Sequence, residues 1–168
     1  MMRKFITILA ALLCLQAAAQ SPVEQLLAML ESSRVSISYS YSDSKGNQLG
    51  SGMATVQGHC YSVIEGGTKF LCDSVTLWTV DNHKKEIYIE DAGGKSDLFG
   101  NLDTILEQVK DLKYEGTRVS FTMTLQGIPE PLSCKATILR KNNKDSDLKD
   151  FRVDVSKYDK LWIITDLR

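Results

Sequence analysis

The sequence predicts an α+β fold: a large antiparallel β-sheet with one helix at its N-terminal end and a second inserted between strands. Two periods in the distribution of apolar residues predict it. Alternation at every second position runs through residues 35–90 and resumes near 119, whereas two short stretches repeat every three to four positions, the periods of strand and helix. Composition supplies the third observation. The chain has 168 residues, 43% hydrophobic and 24% charged, with 11 Gly and 3 Pro, the profile of one globular domain rather than a disordered, collagen-like or repeat chain.

The first segment is a targeting signal by its pattern. Arg3-Lys4 precedes an apolar run from Phe5 to Leu15, and Ala17-Ala18-Ala19 follows, so a signal peptide is expected over 1–19, with cleavage after Ala19. A membrane anchor would need roughly 20 apolar residues, against about 11 here. Cys14 follows Leu12-Leu13 rather than small residues, which argues against a lipid anchor there. The expected mature domain is 20–168. Loss of Arg3 and Lys4 leaves 18 basic against 21 acidic residues, a balance with no field to hold nucleic acid.

Ser21-Pro22-Val23-Glu24 has the form of a capping box, and Val23, Leu26, Leu27 and Leu30 follow at helical spacing, predicting a helix to about Glu31. From Arg34 the period is two: Val35, Ile37, Tyr39 and Tyr41 alternate with serines. Turn residues 43–47 lead to a second strand near 50–57. Further strands are expected near 59–65, 68–73, 75–80 and 84–90, forming an antiparallel meander. Leu98, Leu102, Ile105, Leu106, Val109 and Leu112 then form a helical stripe. Strands are expected again near 119–125, 132–140, 149–155 and 160–166. Two helices cover a sheet of this width incompletely, so an apolar cavity is one expectation, and a closed barrel or sandwich with a dry core is the other.

Catalytic and metal-binding patterns do not emerge. The two histidines, His59 and His83, lack zinc spacing, and neither a nucleophile elbow nor a phosphate loop is present. Neighbours on one strand point to opposite faces, so His59 and Cys60 are poorly placed as a nucleophile and base. No enzyme activity, metal or cofactor is expected. Cys60 and Cys72 flank the Gly66-Gly67 turn, and two readings are open. Direct opposition would bring them to disulfide distance, whereas a one-residue slip would leave two separate thiols. Cys134 is expected to be inert in the core.

The segment Cys72-Asp73-Ser74-Val75-Thr76-Leu77-Trp78-Thr79-Val80-Asp81, followed by Lys85-Glu86-Ile87-Tyr88-Ile89, resembles the D-G-K-x-L-W-x-Y-D segment of the LolA-like periplasmic carriers of outer-membrane lipoproteins. Asp73, Leu77 and Trp78 carry the match, Ser74-Val75 replace the glycine-lysine turn, and Val80 stands where tyrosine is common. The order of elements agrees along essentially the whole mature chain. The ending Thr165-Asp166-Leu167-Arg168 looks like that of the short Bacteroidetes-type members.

The resemblance implies an unclosed half-barrel, its concave face covered by the N-terminal and inserted helices. It also implies a periplasmic, monomeric carrier that shields lipoprotein acyl chains from water. The implied partners are those lipoproteins, an inner-membrane release complex and an outer-membrane acceptor; a sensor or acceptor module of the same fold is the alternative. With strand alternation, this gives a candidate acyl cavity walled by Val35, Ile37, Tyr39, Tyr41, Tyr61, Val63, Trp78, Phe121, Met123 and Leu125. Leu98, Leu102, Ile105 and Leu106 would form its lid. The same residues would serve equally as a packed core, and Asp73 reads as a turn former.

Overall fold

A computed structural model describes residues 28–30, 32–93, 108–124 and 127–168. The strands are Ser33–Ser42 (β1), Gln48–Gln57 (β2), Cys60–Glu65 (β3), Thr68–Asp73 (β4), Thr76–Asp81 (β5), Glu86–Asp91 (β6), Val109–Glu115 (β7), Arg118–Met123 (β8), Leu132–Asn143 (β9) and Ile163–Asp166 (β10). They form one open sheet in the order β10-β6-β5-β4-β3-β2-β1-β9-β8-β7. Two antiparallel meanders, β1 to β6 and β7 to β9, join where β1 pairs with β9 along its full length. Short turns explain the local pairings, since Gly66-Gly67 and Gly116 supply the positive φ that tight hairpins demand.

The predicted class needs correction. The described structure is mainly β rather than α+β, with α-helix confined to residues near 28–32 among the described residues. No helix covers the sheet among the described residues. Val109 and Leu112, the end of the supposed helical stripe, lie on strand β7, and the expected strand near 149–155 is replaced by two 3-10 turns, Lys149–Phe151 and Val155–Lys157. Leu98, Leu102, Ile105, Leu106 and Leu125 lie outside the described residues, as does most of the expected N-terminal helix.

One face of the sheet, here the front, carries most of the core. Val35, Ile37, Tyr39, Tyr41, Val56, Tyr61, Val63, Phe70, Val119, Phe121, Met123 and Leu132 form a single apolar cluster, each at most 8% exposed. Alternation places them there because β1 presents its odd-numbered side chains to one side, and the registers of β2, β3, β8 and β9 carry that phase across the sheet.

Around β4 to β6 the back face is closed by the chain itself. After β9 the backbone crosses behind the sheet as a strap, residues 144–162, before β10 adds to the outer side of β6 as the one parallel strand of the sheet. Gln57 fixes the start of the strap by donating to the Asp145 carbonyl (2.6 Å) and accepting from its N–H (2.9 Å). Phe151 is fully buried, its ring 5.1 Å from the Arg34 guanidinium, and Arg34 also pairs with Asp150. Farther along, Val153, Val155, Tyr158 and Trp162 pack on Leu71, Trp78, Val80, Ile87 and Ile89.

Asp73 joins turn and strap. Its Oδ1 accepts from the backbone N–H groups of Val75 and Thr76, at 3.1 and 2.9 Å, and its Oδ2 accepts from Arg152 at 2.7 Å. Burial alone would raise its pKa, but these donors hold it below the ordinary carboxylate range.

Candidate functional site

The structure divides the residues expected to wall one cavity. Val35, Ile37, Tyr39, Tyr41, Tyr61, Val63, Phe121 and Met123 do share the front face and touch within one cluster. Trp78 does not join them. Cys72 pairs with Leu77 on the front, so Trp78 points to the back, where it packs beneath the strap. Its segment conceals this phase, because both sides of β5 are covered and its first five residues are all buried.

The cysteine question resolves through register. Cys60 pairs with Asp73, and Tyr61 with Cys72, because the hairpin turns on two residues, Gly66 and Gly67. Adjacent register positions face opposite sides, so Cys60 lies on the back, Cys72 lies on the front, and no disulfide joins them. All three described cysteines are free and buried. Burial pushes the Cys72 and Cys134 thiols up, to about 11 and about 12, so both remain protonated and unreactive.

The cavity lies on the front face, directly beside the packed cluster, with which it shares Phe70. It has a volume of about 890 Å³ and opens over β2 to β6. Phe70, Thr79 and Tyr88 form a cross-strand row over its floor. Leu49 and Leu167, 52% and 61% exposed, stand at its margin. Sequence reasoning extended the correct face but missed this part of it, since Phe70, Thr79 and Tyr88 continue the phase of Val63 through three further hairpins.

Glu65 lies at the boundary between cavity and core. It ends the front-facing row Tyr61, Val63, Glu65 on β3 and is 8% exposed. The Tyr39 hydroxyl donates to its Oε2 at 2.6 Å and the Tyr41 hydroxyl to its Oε1 at 2.8 Å. Burial pushes the Glu65 carboxyl up, while the two phenol hydrogen bonds act to lower it. Both tyrosines are held well above the usual phenol range by burial and by the carboxylate they face, so they remain donors.

Two strand glycines make room for this cluster. A Cβ on Gly50 would collide with the Tyr41 hydroxyl and come within 2.5 Å of Glu65 Oε1; one on Gly52 would lie 2.6 Å from the Tyr39 hydroxyl and 2.5 Å from the Ile64 carbonyl oxygen. Glycine inside a strand marks such close approach. The pattern Gly50-x-Gly52 opposite Tyr39 and Tyr41 was therefore the sequence signal for the cluster, read together with an acidic residue in phase with Tyr61 and Val63.

Among the described residues, no group of three or more His, Cys, Asp or Glu is placed to hold a metal ion. What the arrangement offers is shelter for an apolar group beside a buried hydrogen-bond acceptor. Fold and site together define a mainly β protein with an open sheet, strapped on one face and hollowed on the other. No protein-family model and no curated protein matches the chain.

Proposed function

We propose that this protein is a non-enzymatic carrier, exported to the periplasm, that shelters the acyl chains of lipoproteins on their way to the outer membrane. The observation that supports this reading is the cavity of about 890 Å³ on the front face, floored by Phe70 and Tyr88 and margined by exposed Leu49 and Leu167. Its size falls in the range of about 300–1,000 Å³ typical of sites for small ligands. The likeness of the Cys72 to Ile89 segment to the LolA-like carriers points to the same ligand class.

Reversible transfer requires no covalent chemistry. Each buried methylene contributes about 0.8 kcal/mol, so a long acyl chain is retained by contact area and released when a better apolar site is offered. Exposed leucines at the margin suit that exchange, since a chain sliding out meets apolar surface before water.

Native mass spectrometry of the protein purified from its own periplasm tests the proposal. Co-purified lipid or lipopeptide is expected, and its amount should fall in a Leu49→Glu, Leu167→Glu double variant with an unchanged melting temperature. Absence of any bound lipid or lipopeptide in the unaltered protein would overturn the carrier reading.

A further inference from the structure

A buried carboxylate at the side of an apolar cavity calls for an explanation. Glu65 forms no ion pair with any described lysine or arginine. Removing a carboxylate from water is costly unless its oxygens are satisfied, and two phenols satisfy only part of the capacity of an acceptor with about four lone-pair sites. The fold also places two glycines within strand β2 to accommodate this cluster, although glycine weakens a strand interior. A leucine at position 65 would have continued the apolar face without those costs.

The charges around the opening are mostly negative. Asp81, Glu86 and Glu90 line the cavity with Glu65, against Lys84 as the one basic residue among its described lining. Asp81 is held below the ordinary carboxylate range by the backbone N–H of Lys84, reinforced by that of His83, and is therefore firmly anionic. A free acyl carboxylate, or a phosphate with no cation beside it, would be repelled here. A positively charged group would meet an unmatched carboxylate, with the row Phe70, Thr79 and Tyr88 running on from it across the next three strands to receive an apolar tail.

We propose that the cavity selects amphiphiles whose head is a primary ammonium, which docks on Glu65 while the apolar tail lies over Phe70 and Tyr88. The inference rests on the carrier reading and names the ligand chemistry of the same cavity. Two natural sources share that chemistry: the free α-amino group of a lipid-modified N-terminal cysteine, and the amine of an aminophospholipid.

The test is displacement of a fluorescent apolar probe by amphiphiles of equal chain length: dodecylammonium, dodecanol and laurate. Dodecylammonium is expected to act at about tenfold lower concentration than dodecanol, and laurate more weakly than either, the size of one charge-assisted hydrogen bond. Glu65→Gln should erase the preference for the ammonium while leaving dodecanol binding in place. Equal potency of dodecylammonium and dodecanol in the unaltered protein, or a preference that survives Glu65→Gln, would overturn the proposal and leave the carrier reading standing. Failure of all three to displace the probe would sink the carrier reading itself.

A second measurement needs no variant. Carbodiimide coupling of dodecylamine to the folded protein, followed by peptide mapping, should place the amide on Glu65; adducts confined to other carboxylates would count against the proposal. A diacylated lipopeptide with a free amine, its N-acetylated counterpart and phosphatidylethanolamine then separate the two sources. Displacement by the free-amine lipopeptide alone assigns the lipoprotein source, and displacement by phosphatidylethanolamine assigns the lipid; equal displacement by the acetylated lipopeptide would overturn the ammonium requirement.

Discussion

Ser74 has a φ of 79°, in the region where a side chain crowds its own backbone. The turn persists because Asp73 reaches across Ser74 to accept from the N–H groups of Val75 and Thr76. Ser74→Gly should raise stability by about 1 kcal/mol in chemical denaturation, as relief of that crowding outweighs the freedom glycine adds to the unfolded chain. The strain is legible in the sequence only through the resemblance, where glycine occupies this position. Glu65 and Asp73 respond to pH in opposite senses. Glu65 has a raised pKa in the folded state, so its contribution to stability declines as pH rises from the ordinary carboxylate range through that raised value. Asp73 has a lowered one, so its contribution is complete above the ordinary range and disappears as pH falls through the lowered value. Urea unfolding measured across mildly acidic pH should show Glu65→Gln removing the first dependence and leaving the second.

Among the elements, β7 and the strap are the ones sequence patterns conceal. In β7 the register shifts between Lys110 and Lys113, with Asp111 at a φ of 55°. This bulge sets Val109 and Leu112 three positions apart, the spacing of a helical stripe, and the two continue the apolar series that begins at Leu98. Simple hairpins gave no such difficulty: Thr68–Asp73 matches its expected range at both ends. The strap has almost no period because single residues anchor it, notably Phe151 at 0% exposure. Phe151→Ala is expected to cost about 3–5 kcal/mol. Hydrogen exchange should then accelerate in β10 before it does in β1, since β10 is a short edge strand that follows the strap along the chain, whereas β1 is paired on both sides.

For the whole molecule, the sheet has two differently dressed halves. Around β4 to β6 it is covered behind by the strap and hollowed in front; around β1, β8 and β9 its front is tightly packed while its back presents serines, threonines and lysines. Alternation identifies a buried face wherever the other side is wet, which is why β1 and β8 were readable. It fails where neighbouring residues on both faces are buried, as at Leu77 and Trp78, and it does not distinguish a face that is filled from one left hollow. The location of the cavity was accordingly hidden in the sequence, although the face bearing it was not.

Because the back of β4 to β6 is sealed by residues more than 60 positions later in the chain, timing enters the life of this protein. Trp78, Val80, Ile87 and Ile89 are synthesised well before Val153, Tyr158 and Trp162, their covering partners. Until the last part of the chain has arrived, that surface remains adhesive, and contacts so distant along the chain close slowly. A chain ending at Asp147 should bind a hydrophobic dye and self-associate, whereas the full chain should not. Whether the strap has arrived is thus written on the outside of the molecule, where a holding chaperone or a protease would meet it.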